Sequence, residues 1–425
     1  MHSKPTITLS VTALALTLSS WASAAVLCVN PTGANGCLKT IGAAVTAASS
    51  GDIINVSPGT YAESVTIGKP LTLSGLDPAT TIIDATGLPN GIYVDGLDNP
   101  KLAGVLISGF TVRNAKYEGI LVTNTSAVTI SNNTLTGNDA ALGFGASGPV
   151  CPGIPSFETG EDFDCGEAIH LLGTDHANVL SNTITANAGG ILISDDTGPA
   201  HDNLVSGNNV SNNPFDCGIT LASHPPAAST GAMASLGVYN NVVSANVSSQ
   251  NGLKGEGAGV GIFASDPGGA TYSNVVVGNT LTGNDLPGVA LHGHTPGQNL
   301  NGNVIAGNTI SGNGADTDDA ATPGPTGIII SGISPITGTV ISGNTISQET
   351  IAVALYAPGS ARVERNNLSL AKVGAANLGR GGVVYADNDW WGCNMNPIYP
   401  IAVFSGCTGT SGPVSVATWL PAAPK

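Results

Sequence analysis

A short phrase recurs down this chain and constrains its fold more than any other feature: an Asn, then a Thr or second Asn, then an apolar residue. It stands at Asn133-Thr134-Leu135, Asn182-Thr183-Ile184, Asn208-Asn209-Val210, Asn279-Thr280-Leu281, Asn308-Thr309-Ile310, Asn344-Thr345-Ile346 and Asn366-Asn367-Leu368. The closest spacings, from 344 to 366 to 388, are 22 residues, and the longer ones read as 22 plus a loop. A second Asn often follows five residues on, at Asn138, Asn187, Asn213, Asn251, Asn284 and Asn313. Repetition at a fixed period implies stacked units, none of which buries its apolar face alone. Coils stacked about 4.8 Å apart pair each strand with its copies above and below. Asn suits the tight turns, because it tolerates left-handed backbone and its amide can bond the next amide in the stack. These ladders are expected to be structural.

A second repeat precedes the Asn phrase: Gly119-Ile120-Leu121-Val122, Ala168-Ile169-His170-Leu171, Gly190-Ile191-Leu192-Ile193, Gly218-Ile219-Thr220-Leu221, Gly259-Val260-Gly261-Ile262, Gly288-Val289-Ala290-Leu291 and Gly327-Ile328-Ile329-Ile330. The first and third residues after the Gly or Ala are apolar and point inward, and alternate residues point outward. Gly accounts for 58 of 425 residues, charged residues for 9% and aromatics for 4%, so the core must be built from Val, Ile, Leu and Ala. The expected architecture is all-β, a single parallel solenoid domain over residues 25–425 with about a dozen coils.

Ile41, Ala44, Val45 and Ala48 follow helical spacing, so a short helix at about 38–50 is expected to cap the open end of the core. Asp52-Ile53-Ile54-Asn55-Val56 is expected to begin the first coil, and a C-terminal cap is expected over 387–425. Residues 1–24 carry Lys4, an apolar stretch from Ile7 to Ser20 and Ala22-Ser23-Ala24, the pattern of a cleaved export signal. No later segment has 18 uninterrupted apolar residues, so an exported protein, extracellular or periplasmic, without a membrane span is expected. Seven cysteines fit an oxidising compartment. Cys28 with Cys37, and Cys393 with Cys407, flank short loops near the two ends and are expected to pair. Cys151–Cys165 would staple a long loop, whereas Cys165 and Cys217 share a Phe-Asp-Cys-Gly context that would suit a link between coils. The net charge of −16 and pI near 4.5 argue against a nucleic-acid partner. A polyuronate would be repelled unless a cation bridged it.

The opening of the first coil, followed by Pro58-Gly59-Thr60-Tyr61 and Glu63-Ser64-Val65-Thr66-Ile67, resembles the right-handed parallel β-helix superfamily of pectate lyases, pectin esterases, polygalacturonases and NosD-like periplasmic proteins. The resemblance covers roughly residues 38–395. It implies a single-stranded right-handed parallel β-helix, and it implies no one activity, because this fold hosts many chemistries.

Counting outward positions from the first Ile or Val of each coil gives a candidate site. Three residues on lie Ser194, Ala222, Phe263, His292 and Ser331; five residues on lie Thr174, Asp196, His224, Ser265 and His294. In consecutive coils these form a vertical stripe, flanked by Asp195, His201, Asp216 and Asp266. Six of seven histidines follow residue 24, so alignment of three of them with an Asp is not background. Glu167 and His170, one to two coils earlier, would extend the site, although His170 or His176 alone reads as an ordinary surface histidine. Long insertions at 139–166 (Glu158, Glu161, Asp162, Asp164), 225–240 and 313–326 (Asp316, Asp318, Asp319) would wall a groove.

The groove suits a polysaccharide partner and acid–base cleavage by a lyase or a hydrolase. Asp195-Asp196 resembles the Asp pair of polygalacturonases, but that family's Gly-His-Gly and Arg-Ile-Lys motifs are not at the expected places, and His292-Gly293-His294 echoes the first only loosely. Between Tyr117 and Ala361 there is no Arg and Lys254 is the sole cation, so an Arg-based lyase site is not expected on this face. A His base (His224 or His294) is expected, with Asp195 or Asp196 as acid or as a Ca2+ ligand in the groove. Asp and His together would also suit Zn2+ or Cu2+. The rival readings are a non-catalytic glycan-binding or structural β-helix and a NosD-like periplasmic metal-handling protein. Asp389-Trp390-Trp391-Gly392 is expected to close the last coil rather than stack on sugar, and a monomer is expected.

Overall fold

A computed structural model describes residues 24–146, 148–158, 165–224, 237–317, 319–398 and 407–424. The export-signal residues 1–23, the loop acids Glu161, Asp162, Asp164 and Asp318, and most of the 225–240 insertion lie outside the described residues. The chain winds into a right-handed parallel β-helix with three long sheets of 14, 12 and 11 strands. Each coil contributes one strand to each sheet, and strands pair in parallel with the coil before and after.

Register follows the second repeat. Ile120, Ile169, Ile191, Ile219, Val260, Val289 and Ile328 stack in one row of the 12-stranded sheet. All are buried, and they join one continuous core with Ile130, Val179, Val205 and Val243 from the 14-stranded sheet. Burying each such side chain contributes about 1.5–3 kcal/mol relative to leaving it exposed, which is how a core made mostly of Val, Ile, Leu and Ala holds together.

The Asn phrases form hydrogen-bonded ladders. Asn133, Asn182, Asn208, Asn246, Asn279, Asn308, Asn344 and Asn366 each donate through Nδ2 to the rung after, and all but Asn133, whose Oδ1 accepts from the Phe110 N–H, accept from the rung before. The last acceptor is Asp389, not Asn388. The second ladder runs from Asn138 to Asn313 and ends on Glu349. A third joins Asn203, Asn241, Asn274 and Asn303. Left-handed backbone falls one residue before the rung rather than on it, at Ser181, Gly207, Ala245, Gly278 and Gly307 in the first ladder. The rung itself is then free to turn its amide inward.

The helical cap is shorter than its sequence pattern, Ile41–Ala47, with Thr40 as N-cap accepting from the Ala43 amide at 3.2 Å. The first coil does not begin at Asp52: Val26–Val29 already pairs with Ile53–Val56 and opens the 14-stranded sheet. Its alternation is partly exposed, which hid it in the sequence. Disulfides join Cys28–Cys37, Cys151–Cys165 and Cys393–Cys407, and Cys217 is a buried free thiol. Trp391 is fully buried against Gly374 and closes the core, as expected of the final coil.

Candidate functional site

The 12-stranded sheet differs from the other two on its outer face. Its outward row (Leu121, His170, Leu192, Thr220, Ala290, Ile329, Ala354) is buried, because loops roof it. Phe263, Tyr356 and Ala320 pack with Ala290 and Ile329 in a second apolar cluster outside the sheet. The groove expected to be open to solvent is therefore largely covered, and Asp195, Asp196, His224 and His292 are buried.

Strand register stacks the first of the two expected rows; the second, with Asp196, His224, Ser265 and His294, follows the paired strands. Ser194, Ala222, Phe263, His292 and Ser331 are stacked partners, followed by Tyr356. The polar members divide into two groups. In the first, Ser194 donates to Asp196 Oδ2 at 2.6 Å and His170 Nε2 lies 2.8 Å from the Ser194 hydroxyl. His224 Nδ1 lies 3.8 Å from Asp196 Oδ2. Asp195 accepts from the Ser223 hydroxyl at 2.9 Å and from the His224 amide at 2.7 Å. Burial pushes Asp195 up to about 6 against those bonds, and it pushes His170 down to about 4. Glu158, from the 139–166 loop, lies with Glu118 and His170, their ligand atoms within 4.8 Å of one another; burial is the first cause that lifts it to about 8.

In the second group His292 sits between two carboxylates, Nε2 at 2.9 Å from Asp316 and Nδ1 at 2.8 Å from Asp319. His294 Nε2 also reaches Asp319, at 3.0 Å. Burial opposes charge on His292, but the two Asp residues prevail and raise it to about 9. The same contacts hold Asp319 well below the usual carboxylate range. Phe263 leans on both rings, with centroids 5.5 and 6.3 Å away. The 313–326 insertion is thus clamped onto the sheet by His292.

Several expected members lie elsewhere. His201 belongs to a separate three-stranded sheet, where it stacks on Tyr239 at 4.8 Å and Tyr239 stacks on Tyr272 at 5.1 Å. Asp216 precedes the strand Ile219–Ser223 while His224 follows it, so the two lie at opposite edges of the sheet. Ser265 donates to the Ser223 carbonyl, and Asp266 offers its backbone carbonyl to Gln298. The Glu167 carboxylate lies over Gly189, where a Cβ would meet it at 2.4 Å. His170 is buried, not a surface histidine.

Sequence reasoning missed Glu118 and Arg380. Glu118 stands two residues before Ile120, as Glu167 stands two before Ile169, and that repeated offset was the available signal. Arg380 folds over the Tyr356 ring at 4.2 Å and donates to the Gly332 carbonyl, so an Arg does reach this sheet, from a later coil. Three groups of described residues bring potential cation ligands within 4.8 Å of one another: Glu118/Glu158/His170, His176/His201/Asp202 and His292/His294/Asp319. Asp195 and Asp196, the expected cation ligands, are in none of them.

Residues 79–231 match a family described as "Right handed beta helix region", and residues 227–388 match one described as "Periplasmic copper-binding protein (NosD)". No curated protein matches the sequence at a significant level. Three solved structures share the fold at 14% identity. The Agl-KA catalytic domain has a TM-score of 0.56, over 89% of this chain and 64% of that one. DFA-IIIase from Arthrobacter chlorophenolicus A6, in complex with GF2, has 0.54, over 81% and 88%. The Dettilon tailspike protein gp208 has 0.54, over 92% and 68%.

Proposed function

We propose, on the premise that this chain belongs to the right-handed parallel β-helix superfamily, that it acts outside the cytoplasm as a hydrolase of neutral polysaccharide. The observation that carries this reading is the Asp196–His224 pair just past the C-terminal ends of two adjacent strands of the 12-stranded sheet, with Ser194 bonded to the carboxylate and Asp195 to the His224 amide. A carboxylate beside an imidazole is an acid–base unit for moving a proton at a glycosidic oxygen or an attacking water. Asp196 is the catalytic carboxylate, His224 its proton partner, and Asp195 a positioning residue, since both its oxygens are used by protein donors. A neutral glycan is favoured over a polyuronate because the chain carries −16 and residues 118–360 hold one cation, Lys254. Export is supported by the three disulfides. Some solved structures of this fold are named for sugar chemistry or are tailspikes, which supports the substrate class without selecting a sugar.

The segment that matches the copper-binding family, residues 227–388, offers few imidazoles. Its described histidines are His292 and His294. His292 Nε2 lies 2.9 Å from Asp316, its Nδ1 2.8 Å from Asp319, and His294 Nε2 3.0 Å from Asp319, so copper would have to displace these ion pairs. These residues do not fit copper as arranged.

The test is incubation of the protein with neutral and acidic polysaccharides, with Ca2+ or with EDTA, following reducing ends and absorbance near 235 nm. Reducing ends alone, on a neutral glycan, are expected. Absorbance rising with them would replace hydrolysis by elimination, and loss in EDTA would assign a cation to the groove. No product on any glycan, with binding retained, would make the protein a glycan-binding module.

A further inference from the structure

Beneath the 139–166 loop lies a constellation that the hydrolytic reading does not use. Glu118 comes from the turn before Ile120–Thr123, His170 from the strand Glu167–Leu172 one coil on, and Glu158 from the loop above. Each offers a ligand atom within 4.8 Å of the others, and all three are buried, at 0%, 3% and 6% exposure. Burial raises the Glu158 carboxyl above the usual carboxylate range, to about 8. No Lys or Arg occurs from residue 118 to 253 to offset their charge.

His170 supplies an independent observation. The Ser194 hydroxyl has one proton, and it goes to Asp196 Oδ2 at 2.6 Å. The His170 Nε2 contact to that hydroxyl, at 2.8 Å, must therefore carry the imidazole proton. A neutral ring with its proton on Nε2 leaves a lone pair on Nδ1, and Nδ1 is buried without a hydrogen-bond partner. A ring oriented through one nitrogen, with the other bare, is how proteins present histidine to a metal.

We propose that Glu118, Glu158 and His170 form a buried site for one divalent transition cation, of the Zn2+ class, that ties the 139–166 loop to the helix. Two carboxylates and one imidazole are three protein ligands of the kind Zn2+ accepts, with a fourth position left for water. The imidazole and the small ligand count disfavour Ca2+, which takes six to eight oxygens. The cation binds the ionised carboxylates, so uptake releases any proton they carry. This inference stands independently of the glycan reading.

The test uses the full mature protein, stripped with EDTA and titrated with ZnCl2 by calorimetry, with metal content measured after desalting. The variant H176A/H201A removes the surface group His176/His201/Asp202 and serves as the background. It is expected to bind one Zn2+ per chain and to melt at a higher temperature with the metal. Adding E118Q/E158Q, or H170Q alone, is expected to weaken that binding at least 10-fold. Should the double Gln variant fail to fold, the H176A/H201A titration and H170Q still decide. No Zn2+ bound in H176A/H201A would overturn the proposal and leave a buried carboxyl pair without a metal. Equal binding with and without H170Q and E118Q/E158Q would overturn it as well.

Discussion

Asn366 donates both its backbone N–H, at 2.7 Å, and its side-chain Nδ2, at 2.9 Å, to a single oxygen of Asp389. A carboxyl group thus terminates a ladder of eight amides. The second ladder ends likewise: Asn313 donates its backbone N–H at 3.0 Å and Nδ2 at 3.1 Å to Glu349 Oε1. Burial lifts both carboxyls to about 7 against these bonds.

That lift sets a pH dependence. An ordinary Asp loses its proton near about 4, whereas folded Asp389 keeps it to about 7. The native state binds more protons in that window, so stability is highest below it and falls as pH rises through it. D389N is expected to flatten the decline in melting temperature between pH 4 and 8. An unchanged slope would refute the assignment.

Within the ladder each rung serves four bonds. Asn246 accepts from the Asn208 N–H and Nδ2 at 2.9 and 3.0 Å, and it donates to the Val205 carbonyl and to Asn279 at 2.9 and 3.0 Å. N246A strands buried donors on Asn208 and is expected to cost about 3 kcal/mol or more, at roughly 1–3 per unsatisfied group. Urea unfolding measures it; a loss under 1 kcal/mol, by the same scale, would mean that water replaces the rung.

His292 is expected to hold the 313–326 insertion through charge. Its folded value of about 9 exceeds the ordinary value of about 6.5, so this stabilisation is complete below about 6.5 and is lost as pH rises through 9. H292Q should accelerate proteolysis within 313–326 at pH 7, read by mass spectrometry, and remove the acceleration that the native protein shows above pH 9.

Asp196 separates catalysis from binding. D196N preserves an acceptor for the Ser194 hydroxyl but cannot exchange a proton. Turnover of a cleaved glycan is expected to fall about 100-fold or more with affinity little changed. Equal losses of both would assign Asp196 to binding.

Cys217 is buried, and burial raises its thiol well above the ordinary value. One thiol per chain is expected to react with a thiol reagent after denaturation and none before. Reaction in the native state would contradict that burial.

The amino-acid sequence by itself determined the coil, its core rows and its ladders. A solenoid repeats one local solution, so Asn182, Asn208 and Ile191 announce their neighbours by spacing alone. It also announced the stripe through Ser194 and His292, because strand register carries a count from coil to coil. Only the tertiary structure decided what the stripe became. Loops obey no period, so nothing in the count told that Glu158 would meet Glu118, that Asp316 and Asp319 would close on His292, or that Arg380 would reach Tyr356. Those contacts join segments 24 to 40 residues apart through turns of irregular length, and burial under the loops, not the strand pattern, sets the proton affinities of Asp195 and His170.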